Sequence, residues 1–289
     1  MAPRPKLITI VGPTASGKTQ LALDVAERYN GEIICADSRT IFTGMDIGTA
    51  KPTHEEQERV RHWGLDLVEP GEPFSAADFK HYAQAAIADI ESRGKLPLLV
   101  GGTGLYVDSV LYDYQFGPKA DESIRQRLTE LTLTALHEYC NNHNIELPEN
   151  SLNKRHVIRT IERNTASDIS KTALQSGTFI VGIATNTVTL RTRIVRRAEH
   201  LFETNVEGEA TMLGKKYGWD NEAMKGNIYP LIKLYNDSVF TRHEVEEKYA
   251  TTDYRLAKRQ MTWLRRNPDI MWCTLPEANT YIDWLLAAE

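Results

Sequence analysis

Gly12, Pro13, Thr14, Ala15, Ser16, Gly17, Lys18 and Thr19 (GPTASGKT) satisfy the pattern G-x-x-x-x-G-K-[ST] at every constrained position. What surrounds them decides what the match means. Leu7–Val11 (LITIV) is a short apolar run that reads as a buried strand, and Gly17–Tyr29 follows as a helix with Leu21, Val25 and Ala26 on one face. Asn30-Gly31 marks its stop. Between a strand and a helix, such a loop curls so that successive N–H groups point inward at phosphate oxygens, and the helix N-terminus adds its positive dipole end. Lys18 supplies a mobile cation for the terminal phosphates, and the Thr19 hydroxyl is placed to ligate Mg²⁺. The stretch therefore predicts a di- or triphosphate site at the centre of the chemistry.

Working outward, short apolar runs alternate with longer helical patterns, the signature of βαβ units and a parallel sheet. Glu32–Ala36 reads as the second strand, Leu96–Val100 as a third bounded by Gly101-Gly102, and Trp63–Val68 as a further one. Ser75 opens a helix with Asp78 three residues on; Phe79, Ala83, Ala86, Ile87 and Ile90 form its apolar stripe and Gly94 ends it. The fold class expected is α/β: a P-loop parallel-sheet core with helices on both faces. From about Asp113 the pattern changes. Tyr114–Ala120 is loop-like, Asp121–Asn142 reads as one helix (Ile124, Leu128, Leu131 and Ala135 on a face), and Lys154–Arg163 as a basic helix. Phe179–Ala184 resembles a strand returning to the sheet. This places a small helical lobe at 113–177, inserted into a core of 1–112 and 178–289, with helices dominating from Leu190 to the end.

The chain has 289 residues, enough for a sizeable core, with 41% hydrophobic and 25% charged residues. No stretch approaches the roughly 18 apolar residues of a membrane span, and LITIV is too short for a signal-peptide core. A cytoplasmic protein is the expectation. Cys35, Cys140 and Cys273 lie too far apart to suggest a zinc knot or a disulfide framework, and Cys35 sits in an apolar run as a small hydrophobe. The net charge of −5 argues against indiscriminate nucleic-acid binding. It conceals two basic clusters: Ser151–Arg197, with nine Lys/Arg against Glu162 and Asp168, and Arg255–Arg266, with five bases and no acid. These fit one particular polyanionic partner, or solvated helix faces.

The strand at 96–100 ends in Gly-Gly-Thr-Gly with no acid before Asp108, unlike the Mg²⁺-holding Asp of hydrolytic P-loop proteins. The strand EIICA ends instead in Asp37-Ser38-Arg39, at the carboxyl edge where doubly wound sheets bind ligands. Asp37 suits a proton acceptor for an attacking group; it equally suits a water-mediated Mg²⁺ ligand or a helix cap. GGTGLY (Gly101–Tyr106) suggests close approach of backbone to a ligand, with Thr103 donating a hydrogen bond there, or else a tight turn. The helix from Leu190 carries Leu190, Ile194, Ala198 and Leu201 on one face and Arg193 and Arg197 on another, where they suit stabilisation of a departing diphosphate or are a solvated face. Near the C-terminus, Tyr254, Ala257, Met261 and Leu264 form a docking stripe. Arg255, Arg259 and Arg266 line up opposite as a basic ridge flanked by Lys258 and Arg265, and Trp263 fits base stacking or core packing.

GPTASGKTQLAL, the DSR after the second strand, GMDIGTAKPT (Gly44–Thr53), GEPFSAADF (Gly71–Phe79), LPLLVGGTGLY (Leu96–Tyr106), HVIRTIE (His156–Glu162) and LAKRQMTWLRR (Leu256–Arg266) together resemble tRNA dimethylallyltransferases. The resemblance runs in register over nearly the whole chain. It implies that the P-loop holds dimethylallyl diphosphate with Mg²⁺, and that the N6 amine of the adenosine 3′ of a tRNA anticodon attacks the allylic carbon. By that pattern Asp37 takes the amine proton or orients the amine, Thr103 contacts the reacting centre, and Arg197 binds the leaving diphosphate. The anticodon stem-loop would be contacted by Asp37, Ser38, Arg39, Thr40 and Thr103, by Arg155, His156 and Arg159 of the lobe, and by Lys258, Arg259, Gln260, Trp263 and Arg265. The resemblance also favours a monomer. Two other chemistries share the P-loop: prenylation of free adenine nucleotides, which does not need the basic clusters, and a small-molecule kinase, which consumes ATP.

Overall fold

The computed structural model describes residues 5–116, 122–164 and 172–287. Six parallel strands form one sheet: β1 (Leu7–Val11), β2 (Gly31–Ala36), β3 (His62–Trp63), β4 (Leu96–Gly101), β5 (Thr178–Ile183) and β6 (Ile270–Cys273), in the order β3-β2-β4-β1-β5-β6. β1, β2 and β4 are buried at every position, as apolar runs in a sheet covered on both faces should be. α1 (Lys18–Arg28) and α12 (Leu275–Ala287) cover the face bearing Ile8, Ile10, Ile33, Leu98, Val181 and Ile183. α3 (Ala76–Ser92) packs on β2 and β4, and Phe79 stacks on Tyr106 of α4 (Gly104–Leu111) with ring centroids 4.3 Å apart. Ser75 caps α3 through a reciprocal bond pair with Asp78, as its spacing predicts. Among the described residues no helix is long and apolar enough to cross a membrane.

The strand expected over Trp63–Val68 is cut short. Only His62–Trp63 pairs with β2, and Val68 makes an isolated bridge to Phe42. Gly64 turns the chain at φ +84, so close to β2 that a Cβ would lie 2.8 Å from the Cys35 carbonyl oxygen. Helices dominate the C-terminal part, as expected, and the sequence gives no sign of the one strand among them: four residues of β6 extend the sheet beyond β5, pairing Ile180 with Ile270 and Gly182 with Trp272. The remaining helices of this part are α8 (Thr187–Glu203), α9 (Val206–Tyr217), α10 (Tyr229–Asn236) and α11 (Arg242–Leu264). A short helix α2 (His54–Arg59) lies between β2 and β3.

The chain divides into two compact units, one of residues 1–112 with 174–289 and the other of residues 113–173. In the second, the single helix expected over Asp121–Asn142 is two, α5 (Glu122–Glu130) and α6 (Leu133–Asn142). Thr132 makes the break by capping α6, its hydroxyl accepting the Ala135 N–H at 3.2 Å. α7 (Lys154–Asn164) completes a small core of Leu128, Leu136, Cys140, Val157, Ile158 and Ile161.

Candidate functional site

The GPTASGKT loop leaves β1 and enters α1 through Gly17 at φ 94, a conformation that glycine adopts without strain. A side chain there would also meet Leu275, whose Cδ1 lies 2.7 Å from an ideal Cβ. Arg193 supports the loop from behind, its Nη1 donating to the Ser16 carbonyl at 2.8 Å and the Ala15 carbonyl at 3.4 Å. Lys18 folds back so that Nζ donates to the Pro13 carbonyl at 3.2 Å. Burial pulls its pKa down to about 8, against the opposing pull of Asp37 and Asp253. An ammonium so placed gains from any anion that enters.

In front of the loop lies a cavity of about 580 Å³. Its lining brings together Thr14, Lys18, Thr19, Asp37, Ser38, Arg39, Thr40, Thr103, Arg197, Arg259 and Gln260 from the residues singled out in the sequence. β2 delivers Asp37 and β4 delivers Thr103, neighbouring strands whose carboxyl ends open on the same crevice. Asp37 Oδ1 accepts the Arg39 N–H at 2.8 Å, and the Thr103 hydroxyl accepts the Ser38 N–H at 3.1 Å, so each holds the Asp-Ser-Arg turn while facing the cavity. A larger cleft of about 680 Å³, lined by Thr185, Arg193, Arg265, Met261 and Trp272, lies apart from Lys18, Thr19 and Asp37 and lacks their chemistry.

Arg197 reaches the P-loop. Its Nη1 donates to the Thr14 hydroxyl at 3.0 Å, and that hydroxyl donates to Asp253 Oδ2 at 3.3 Å. Its Nε is buried without a partner among the described residues, which leaves one strong donor for an incoming acceptor. Asp253 is 6% exposed, and burial raises its carboxyl above the ordinary aspartate range despite the nearby Arg197. No sequence motif marks Asp253. The available signal was its position on α11 in phase with buried Val245, Tyr249 and Ala257, where an acid needs a partner.

Glu209 of α9 is likewise outside any motif and buried. It accepts the N–H groups of Asp46 (2.9 Å), Ile47 (2.7 Å) and Gly48 (2.8 Å) and the Tyr229 hydroxyl (2.9 Å). The GMDIGTAKPT segment is thereby pinned, and Lys51 fixes its far end with bonds to Asp46 (2.5 Å), Asp66 (2.6 Å) and the Phe42 carbonyl (3.0 Å). Thr49, Ala50 and Pro52 then form one wall of the cavity.

The glycines of GGTGLY have a packing task that the sequence alone does not show. They admit the protein's own backbone and side chains, and Gly101 also lines the cavity. A Cβ on Gly101 would lie 2.1 Å from the Ala36 carbonyl oxygen, one on Gly102 2.5 Å from Gln260 Nε2, and one on Gly104 2.0 Å from Trp263 Cδ1. The Lys-Arg-Gln segment of α11 thus lies directly on the loop after β4. Gln260 Oε1 accepts the Thr14 N–H at 2.8 Å, which ties α11 to the P-loop. Trp263 is 37% exposed and donates its indole N–H to Asp108 at 2.7 Å, so its ring is fixed at the surface. Lys258 lies 5.0 Å over the Tyr254 ring, outside the cavity lining, and Arg265 borders the larger cleft. In the 113–173 unit, Arg155, His156 and Arg159 are exposed along α7 opposite buried Val157 and Ile158, and Arg159 pairs with Glu162 at 3.2 Å.

Residues 40–267 match the family model described as IPP transferase. The chain is 36% identical to a tRNA dimethylallyltransferase of Bacillus cytotoxicus over 93% of its length and 90% of that protein's. It is 38% identical to tRNA dimethylallyltransferase 2 of Geotalea uraniireducens, covering 94% of this chain and 93% of the relative. Among solved structures, the tRNA isopentenylpyrophosphate transferase of Bacillus halodurans superposes with a TM-score of 0.73 at 34% identity, over 98% of this chain and 97% of that one. A tRNA isopentenylpyrophosphate transferase of Staphylococcus epidermidis does so with 0.70 at 33%, over 96% and 99%.

Proposed function

The chain belongs to the IPP transferase family, and on that premise we propose that it transfers a dimethylallyl group from dimethylallyl diphosphate to the N6 amine of the adenosine 3′ of the anticodon in tRNA. The observation that carries this reading is the convergence of an intact P-loop with Asp37, Thr103 and Arg197 on one cavity. A phosphate cradle alone leaves the reaction open. A carboxylate and a hydroxyl at adjacent strand ends, with an arginine beside the loop, supply a proton acceptor, an orienting group and a charge stabiliser for a departing diphosphate.

The backbone of Gly12–Thr19 and the Lys18 ammonium bind the diphosphate, and Arg197 extends the cradle to the end that carries the scissile bond. The N6 amine attacks the allylic carbon, nitrogen–carbon bond formation accompanies carbon–oxygen cleavage, and the electron pair leaves with the diphosphate oxygen. Asp37 accepts the amine proton through Oδ2, since Oδ1 serves the Arg39 N–H. Thr103 orients the acceptor. Mg²⁺ fits this donor set: the exposed Thr19 hydroxyl borders the cavity, and Mg²⁺ characteristically takes few protein oxygens and completes its shell with phosphate and water. When bound it would neutralise diphosphate charge. The exposed bases Arg155, His156 and Arg159 on α7 and Arg259 on α11 suit the phosphates of an anticodon stem-loop, with a splayed adenine entering the cavity. A cytoplasmic monomer fits the same reading.

The test is a paired transfer assay with radiolabelled dimethylallyl diphosphate and Mg²⁺. One reaction holds an anticodon stem-loop with adenosines 3′ of the anticodon, the other AMP and ATP. Label should enter the RNA and be lost with Asp37→Ala. Label in free nucleotide alone would replace the tRNA reading with adenine-nucleotide prenylation. ATP consumption without label transfer would leave a kinase.

A further inference from the structure

Asp253 is a buried carboxylate whose presence the reaction as proposed does not require. It lines the substrate cavity from α11, 3.3 Å from the Thr14 hydroxyl, which in turn accepts from Arg197. The charged groups facing it are Arg197 from α8, Lys18 from the P-loop and Asp37 from the end of β2; Tyr249 lies one turn away on its own helix. With the cavity empty these charges balance, two cations against two carboxylates. A diphosphate brings about three negative charges, of which a bound Mg²⁺ would offset two, so about one remains uncompensated within reach of the same cations. Lys18 and Arg197 then turn toward the ligand, and a carboxylate beside them loses its compensation in a site where burial already favours its neutral form. A proton is the counter-charge of right size for a side chain that is 6% exposed and has a neutral hydroxyl as its direct partner.

We propose that Asp253 takes up a proton as the diphosphate binds and donates it to the leaving diphosphate as the carbon–oxygen bond breaks, acting as the general acid opposite Asp37. The step balances. The amine nitrogen forms a bond to the allylic carbon and its proton passes to Asp37; the carbon–oxygen bonding pair stays on the diphosphate oxygen, and the Asp253 proton passes to it. Asp37 ends protonated and Asp253 ionised, and exchange with solvent on product release restores both. The two acids are held in different surroundings, Asp37 half-exposed and accepting a backbone N–H, Asp253 buried, which is the separation that assigns opposite proton roles to a pair of carboxyls.

This inference rests on the allylic-diphosphate reading, and the experiment separates the two. Inorganic diphosphate, with and without Mg²⁺, is titrated calorimetrically into the full chain in buffers of different ionisation enthalpy, which counts protons taken up on binding. The wild type should take up more protons than Asp253→Asn, by close to one, and the variant should bind diphosphate at least as tightly because a negative charge is gone. In turnover with dimethylallyl diphosphate and the stem-loop, Asp253→Asn should lower kcat about a hundredfold with little change in KM. It should also lose the alkaline fall of the kcat–pH profile; a group that merely positions Arg197 would leave that limb in place. Asp253→Glu should restore part of the rate and the limb. Equal proton uptake by wild type and Asp253→Asn, or an unchanged pH profile, overturns the proposal while leaving the prenyl-transfer reading intact. Failure of the wild type to bind either diphosphate overturns both.

Discussion

Replacing Glu209 by Gln should loosen the wall of the cavity without touching the P-loop. The carboxylate takes the Asp46 and Ile47 N–H groups on Oε2 and the Gly48 N–H and Tyr229 hydroxyl on Oε1. A glutamine oxygen in the Oε2 position keeps the first two bonds but makes them neutral. Its amide nitrogen then confronts the Gly48 N–H, donor against donor, in a buried place. An unsatisfied buried donor costs about 1–3 kcal/mol, and a hydrogen bond to a charged group exceeds a neutral one by about 1 kcal/mol. Removing a buried charge returns part of this, so the net loss is about 3 kcal/mol. At roughly 2 °C per kcal/mol for a large domain, the thermal midpoint should fall by about 6 °C. Scanning calorimetry measures it directly, with Glu203→Gln, a 66% exposed acid, as a control that should not move. The variant should also need more dimethylallyl diphosphate to reach half-maximal rate, because Thr49, Ala50 and Pro52 line the cavity and the Thr49 carbonyl meets Arg197 at 3.5 Å. A midpoint within 1 °C of wild type would refute the claim that this carboxylate holds the segment.

Lys18 should lose its charge as pH rises through about 8 in the free protein, since burial lowers its pKa. Diphosphate binds the ammonium form, so affinity measured by calorimetry should weaken above that pH; a flat profile up to pH 9.5 would contradict the assignment. Glu32 is held down to about 2 from an ordinary 4.5, by Arg93 first and then by Lys95 and Trp63. A depressed carboxyl stabilises the fold above its unfolded pKa, so a contribution on the order of 3 kcal/mol is present above pH 4.5 and fades as pH falls toward 2. The stability gap between wild type and Glu32→Gln in urea should narrow over that window, and a gap independent of pH would count against the pairing. Gly104→Ala puts a methyl 2.0 Å from Trp263 Cδ1. The ring must move and release Asp108, at an overpacking cost of about 1–3 kcal/mol, visible as altered tryptophan fluorescence and a lower thermal midpoint.

The parts of the fold that the sequence announces are those whose physics is local. Buried parallel strands are predominantly apolar, so Leu7–Val11, Glu32–Ala36 and Leu96–Val100 stand out despite Thr9 and Glu32, and a strand followed by GPTASGKT fixes where the sheet opens. Asp37 follows from the same logic, since the acid at the end of β2 has to emerge beside the P-loop. What escapes is what depends on long-range partners. β6 is too short to carry a period of its own and becomes a strand because Ile180 and Gly182 offer it an edge. The GGTG glycines give no hint in the sequence that α11 packs Gln260 on Gly102 and Trp263 on Gly104. Asp253 and Glu209 were legible only as anomalies, acids in the apolar phase of α11 and α9. An acid in that phase demands donors or a proton from some other element, and a helical period cannot say which. Here the donors come from Thr14 of the P-loop and from residues 46–48 of the cavity wall, both on the substrate side. The two violations of the amphipathic pattern therefore point at the same cavity as the P-loop, from the opposite end of the chain.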